Sequence, residues 1–266
     1  MAVSAEEHPH DDAYLQPSSR RLSRGLGAVF GLAVRDQLRA IGPLPPASRI
    51  LDLGAGDGRL AAALAARGHS VTAVEPTRDI AAATGDPAVT AVRSRIEDLD
   101  LPAGAFDVAI LWHVLEHLSD ATGTLRLIRG WLGDGGRLIV AVPNIASWQA
   151  GLGGRRWFHL DPTRHVVHFT PAGLEVLLER SGFATPTRKT VFFDQALPGM
   201  WMTLLERSSG SAGALRSFIR REPTKRKNVA AAAVLAAPAL VAAIPIELAA
   251  TASGRGGVLV VEARTA

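Results

Sequence analysis

Apolar positions along the chain follow two periods. From Ser18 to Ile41, the residues Leu22, Leu26, Val29, Phe30, Ala33, Val34 and Leu38 recur at helical spacing, which predicts one or two helices. Pro43, Pro45 and Pro46 end them. Short apolar runs follow at Arg49–Leu53, Ser70–Val74, Ala88–Val92, Phe106–Leu111 and Arg137–Val142, and these predict five strands. A helix from Arg59 to Arg67, closed by Gly68, separates the first two, and another is expected directly after the fourth. Thr170-Pro171 opens a further helix to Arg180, closed by Ser181-Gly182. Thr187–Phe193 predicts a sixth strand and Gly257–Ala263 a seventh. Strands alternating with helices imply a parallel sheet covered on both faces. Trp148–Phe169 reads as a long loop, and the polar stretch Met1–Pro17 as a disordered tail without a secretory signal.

Composition narrows the function classes. Apolar residues make up 47% of the 266 positions and charged residues 20%, which is ordinary globular usage and excludes a collagen-like or coiled-coil chain. Cysteine is absent, which excludes disulfides, thiolate metal sites and a cysteine nucleophile. The net charge is only +4, and no basic run is interleaved with aromatics, so nucleic acid is not the expected partner. Without a secretory signal the expected location is cytoplasmic.

The candidate chemistry begins at Ile50-Leu-Asp-Leu-Gly54-Ala-Gly56-Asp-Gly58, a glycine loop between a strand and a helix. Glu75 ends the next strand, 21 residues after Gly54, where a carboxylate can accept bonds from both ribose hydroxyls of a nucleoside. The pattern is G-x-G-x-G, whereas dinucleotide enzymes use G-x-G-x-x-G. A nicotinamide- or flavin-dependent oxidoreductase is the alternative on the same loop. A non-catalytic, membrane-associated module that keeps the fold is a second.

Leu51-Asp-Leu-Gly-Ala-Gly-Asp-Gly58 resembles the first motif of class I S-adenosylmethionine-dependent methyltransferases. Phe106-Asp107-Val108, His113-Val-Leu-Glu-His-Leu118, Gly135-Gly136-Arg137-Leu138 and Pro143-Asn144 follow in that family's order. Leu160-Asp-Pro-Thr-Arg-His-Val-Val-His-Phe-Thr-Pro171 is similar to a subgroup related to the ubiquinone-biosynthesis O-methyltransferases. The resemblance implies an α/β, Rossmann-like, doubly wound seven-stranded sheet of order 3-2-1-4-5-7-6 with an antiparallel last strand. It implies S-adenosylmethionine as cofactor, held by Asp52, Gly54, Gly56, Asp57, Glu75 and Pro76, with Ile96 or Glu97 serving the adenine edge and Trp112 near the reacting methyl group. The implied acceptor is a small molecule or a lipid-linked precursor, methylated on a hydroxyl oxygen.

His113, Glu116 and His117 are expected on one face of a helix start, and His165 and His168 lie in the later loop. Three readings stand. The cluster orders loops over the cofactor; or His117, His113 or His165 acts as general base; or His113, Glu116, His117 and His165 hold a divalent metal. Some relatives resemble this region with a metal-binding Glu-x-x-Glu-His plus a later His; His113 replaces the first Glu here. Arg156, Trp157 and His168, with Arg155, Arg164, Trp148 and Phe158, suit either a lid over the acceptor or an ordinary amphipathic loop.

One stretch remains. Val229–Ile246 is 18 uncharged residues, preceded by Arg220, Arg221, Lys225, Arg226 and Lys227. A single crossing would strand the seventh strand on the wrong side of a bilayer, and two crossings need about 40 apolar residues. Pro238 and Pro245 are expected to break a helix. The segment therefore reads as a hairpin of short helices within a 195–255 insertion. It either covers the core or meets a membrane surface or lipidic substrate through 225–246, which would make the enzyme peripheral at the inner membrane face. Residues 18–266 are then one methyltransferase domain, with 18–46 its helical cap.

Overall fold

The computed structural model describes residues 20–80, 84–209 and 226–265. The expected disordered tail, residues 1–17, lies outside these, as do Arg220, Arg221 and Lys225. Alternation of apolar runs with helices produces the sheet anticipated. Its strands are β1 (Arg49–Leu53), β2 (Ser70–Val74), β3 (Val89–Val92), β4 (Phe106–Trp112), β5 (Leu132–Pro143), β6 (Phe183–Lys189) and β7 (Val258–Thr265). They lie in the order β3-β2-β1-β4-β5-β7-β6. β1 to β5 are parallel, and β7 runs antiparallel to both neighbours, β5 and β6.

Successive residues of a strand face opposite sides of a sheet, so each strand feeds two cores. Leu51, Leu53, Ala109, Leu111, Leu138 and Val140 pack on one side with Leu125, Ile128, Leu174 and Leu178. The last four belong to α3 (Ala121–Trp131) and α5 (Pro171–Arg180). Ile50, Val108, Ile110, Ile139 and Ala141 pack on the other side with Ala40, Ile41, Leu60 and Leu64. These last four come from α1 (Arg20–Ile41) and α2 (Arg59–Ala65).

Several elements differ from the sequence expectation. Trp148–Phe169 is not one loop: Ser147 accepts a bond from the Ala150 amide and starts α4 (Trp148–Gly153), and two 3-10 turns follow. The sixth strand is Phe183–Lys189 rather than Thr187–Phe193. The amides of Phe192, Phe193 and Asp194 are instead drawn to the Asp36 carboxylate on α1, which bends the chain away from the sheet. The chain then forms α6 (Ala196–Ser209). The apolar segment is no hairpin: α7 (Arg226–Ala252) is continuous through Pro238 and Pro245. Both prolines lie on its exposed side, so the backbone groups they leave unbonded face outward.

The cap helix is fastened to the sheet by charge. Arg137 of β5 donates to the carbonyls of Ile41 (2.7 Å) and Pro43 (2.8 Å) at the end of α1 and pairs with Glu262 of β7. Lys189 of β6 also reaches Glu262 (2.6 Å). Burial opposes ionisation of Glu262, but Lys189 and Arg137 hold its carboxyl below the ordinary range. Removing one member of such a pair leaves the other charge buried and alone. Arg137→Leu should lower unfolding free energy in urea by about 3 kcal/mol. A loss under about 1 kcal/mol, the range of an exposed pair, would show that the clamp contributes little.

Candidate functional site

Strand order reverses between β1 and β4, the place at the carboxyl edge where open α/β sheets bind their ligands. The glycine loop occupies it. Gly54 (φ 71°) and Gly56 (φ 59°) take the left-handed conformation that side chains disfavour. A Cβ at Gly54 would stand 2.4 Å from Val114 Cγ2, whereas one at Gly56 would meet nothing within 4 Å. Gly54 thus lets the turn after β4 close on the loop, and Gly56 leaves open space. Glu75 is fixed beside it: its Oε2 accepts from the Gly56 amide (3.1 Å), and its Oε1 from the amide (3.0 Å) and hydroxyl (2.6 Å) of Thr77. Asp52 is buried beneath, one oxygen unpartnered. Burial and the nearby Glu75 push its carboxyl up to about 7.

Asp52, Gly54, Gly56, Asp57, Glu75 and Pro76 therefore gather around the ends of β1 and β2. Asp57 is turned to Arg59 (2.7 Å). Past β3, Ile96 is buried in a 3-10 turn, and the exposed Glu97 pairs with Arg95 (3.0 Å). Trp112 ends β4 and gives its indole N–H to Asp194.

The turn after β4 is not the expected helix. His113 has φ 57°, which ends the strand abruptly, and only a 3-10 turn, Leu115–His117, follows. His113 consequently does not share a helical face with Glu116 and His117. Its ring is enclosed, with Nδ1 3.5 Å from Glu116 and Nε2 3.4 Å from Asp194. Burial would depress its pKa, but the two carboxylates outweigh this and raise it to about 9. With Nδ1 turned to Glu116 and Nε2 to Asp194, His113 lies outside the group of three residues whose ligand atoms converge, so the structure does not place it where a base or metal ligand was expected.

The chain brings Glu116, His117 and His165 together instead, one ligand atom of each within 4.8 Å of the others. The Val166 amide donates to the Glu116 carbonyl (2.9 Å), which docks the later loop on the turn. Nδ1 of His117 lies 3.0 Å from the Arg164 carbonyl, and Nδ1 of His165 lies 2.7 Å from the His159 carbonyl. A carbonyl can only accept, so each neutral ring carries its proton on Nδ1 and its lone pair on Nε2. Burial pushes the pKa of His165 down to about 4, and that of His159 to about 3, so both are neutral. Glu116 keeps a buried oxygen without a partner.

The expected lid comes apart. Trp157 is buried with its ring against His159 and His168. Arg156 turns to the Arg207 carbonyl near the end of α6 (3.4 Å). His168 is held at the Leu160 carbonyl (2.8 Å). Asp194 and Asp36 were not foreseen. Asp194 meets the β4 turn from 81 residues beyond His113, Asp36 in turn holds the Asp194 amide across 158 residues, and no local motif announces them.

Comparison with known proteins gives the family. A methyltransferase-domain profile matches residues 28–186, more than half of the chain. The ubiquinone biosynthesis O-methyltransferase of Azorhizobium caulinodans is 30% identical over 191 residues, covering 66% of this chain and 75% of that protein. The chain belongs to the S-adenosylmethionine-dependent methyltransferases. An S-adenosylmethionine-dependent methyltransferase of Thermotoga maritima shares the fold at a TM-score of 0.57, with 18% identity over 92% of this chain and 96% of that one. So does a Burkholderia thailandensis 1,6-didemethyltoxoflavin-N1-methyltransferase, solved with S-adenosylhomocysteine, at 0.53, with 20% identity over 91% and 82%. Neither the oxidoreductase nor the non-catalytic alternative finds support among these similarities.

The buried Asp52 gives the methyltransferase a pH signature. Its folded pKa stands above the ordinary carboxylate value, so between pH 4 and 7 the folded state holds a proton that the unfolded chain has lost. The stability it contributes is complete below pH 4 and vanishes as pH rises through about 7. Asp52→Asn should therefore flatten the decline in Tm between pH 4 and 8 and raise Tm at pH 8. An unchanged slope in thermal melts would assign the decline to other groups.

Proposed function

We propose that this methyltransferase methylates a hydroxyl oxygen of a small-molecule or lipid-linked acceptor, with His117 receiving the acceptor's proton. The carrying observation is the pair of imidazoles, His117 and His165, each tied through Nδ1 to a backbone carbonyl beside Glu116. The names of the curated relatives, ubiquinone biosynthesis O-methyltransferases, support oxygen as the acceptor atom.

The loop fits the cofactor on the structure's own terms. Gly56 borders open space, the Glu75 carboxylate accepts from its amide, and Asp52 keeps one buried oxygen without a partner. Gly54, Gly56 and Glu75 would hold S-adenosylmethionine, with Ile96 or Glu97 at its adenine end. Bound there, it supplies an activated methyl group. The chain's part is to bind, orient and manage one proton. His117 is exposed, with the Nε2 lone pair of its neutral ring available to a hydroxyl. His165, 4.9 Å away ring to ring, stays uncharged and does not repel the proton that His117 takes up. Protonated His113, between Asp194 and Glu116, holds the turn in place.

A second reading rests on the unpartnered Glu116 oxygen. Glu116, His117 and His165 are a donor set suited to a divalent cation, which would supply Lewis acidity toward the acceptor oxygen.

His117→Ala should lower kcat by about a hundredfold, the usual scale for a lost general base. S-adenosylhomocysteine affinity, read by calorimetry, should be nearly unchanged. Equal loss of both would make the cluster a device for ordering the cofactor loop. Turnover should survive EDTA; loss restored by a divalent ion would favour the metal reading. Gly56→Ala should fold yet weaken S-adenosylhomocysteine binding, because its Cβ enters the space assigned to the cofactor.

A further inference from the structure

The geometry points to a second surface, independent of the methyl-transfer site: the outward face of α7 is a docking surface for an anionic lipid bilayer, with the helix lying in the plane of the interface. Val234 (77% exposed), Val241 (71%) and Leu248 (52%) follow one another at seven-residue spacing, flanked by Leu240 and Ile244. The opposite stripe, Ala243, Glu247 and Ala250, is buried. Glu247 is the only charged residue between Asn228 and Gly254, and it is turned inward, to Gln149 (2.8 Å) and the Gly257 amide (2.8 Å). Trp201 of α6 ties the other half of the helix down through the Ala236 carbonyl (2.8 Å). From Val234 to Leu248 the exposed face thus carries no charge over about 21 Å.

Orientation follows from topology. Six residues after α7 ends, the chain enters β7 between β5 and β6, so α7 cannot cross a bilayer and leave β7 in the sheet. Charge selects the occupant. In sequence, Arg220, Arg221, Lys225, Arg226 and Lys227 precede the apolar run Val229–Ile246 with a single acid, Glu222, among them. Past its far end, exposed Arg255 borders a shallow pocket with Trp148 and Leu152. A basic stretch next in sequence to an apolar helical face, with the exposed Arg255 past the other end, matches an anionic headgroup layer over hydrocarbon. In a second copy packed on this face, basic ends would meet basic ends in either direction.

Co-sedimentation of the full chain with vesicles tests this. Vesicles of phosphatidylcholine with 50% phosphatidylglycerol, an anionic content chosen as roughly a membrane extreme, should retain the protein, and pure phosphatidylcholine much less, by about tenfold or more. Val241→Asp with Leu248→Asp should abolish retention while Tm and S-adenosylhomocysteine affinity hold. Lys225→Glu with Lys227→Glu, which leaves the apolar face intact, should remove the preference for anionic vesicles. A native protein that stays in the supernatant at low salt overturns the proposal. So does retention indifferent to both double variants. A native dimer that Val241→Asp turns monomeric, without vesicle binding, would assign the face to a second copy instead.

Discussion

The insertion of β7 between β5 and β6 is the constraint on which the rest of this molecule depends. An antiparallel strand in the interior of a sheet must be delivered from a fixed side, and its seven register pairs with β5 leave no freedom in where the chain arrives. Everything after α5 is arranged to meet that requirement. β6 occupies the edge, α6 and α7 carry the chain back, and the Glu247 carboxylate receives the amide of Gly257 as the strand begins. A helix apolar enough to span a membrane by composition is thereby held flat against the protein. Burial raises the pKa of Glu247, but the bonds from Gln149 and the Gly257 amide offset part of that penalty.

The same return path builds the floor of the site. Between β6 and α6, Phe192–Asp194 crosses to the carboxyl edge of β4 because Asp36 collects their amides. Asp194 then receives Gln37 and Trp112 and faces His113. The cap helix α1 therefore reaches the site through this loop as well as through the clamp of Arg137 and Glu262 at its end. Two polar stitches join an N-terminal helix to a late segment of the chain, and both are largely shielded from water, where such bonds are strongest.

The four histidines nearest the β4 turn illustrate how environment divides one residue type into different roles. His113, between two carboxylates, keeps its proton; His159 and His165, buried beside other imidazoles, lose theirs. His117 stays at the surface with its Nδ1 engaged by the Arg164 carbonyl. His113, His117 and His165, which read as equivalent candidates in sequence, become an enclosed cation, an exposed ring and a neutral ring, and His159, not among those candidates, is a second neutral ring. The physical basis is the competition between desolvation, which disfavours the charged form, and nearby carboxylates, which favour it.

Local pattern alone determined β1, β2 and most of β4, the glycine loop with Glu75 behind it, and the helix from Pro171. In each case, neighbours in sequence supply the apolar period, the turn or the cap. The ordered motifs also carried the strand order and the cofactor class through family resemblance. What the tertiary structure decided are the features made by distant groups. The apolar run Val191–Phe193 reads as strand, and becomes a bend because a carboxylate on α1 binds its amides. Pro238 and Pro245 read as helix breaks, and are accommodated because the groups they leave unbonded face outward. His113 reads as a candidate base or ligand, and becomes an enclosed cation because Asp194 arrives from 81 positions away. Periodicity is a property of neighbours, whereas protonation, backbone capture and exposure belong to whatever the fold brings alongside.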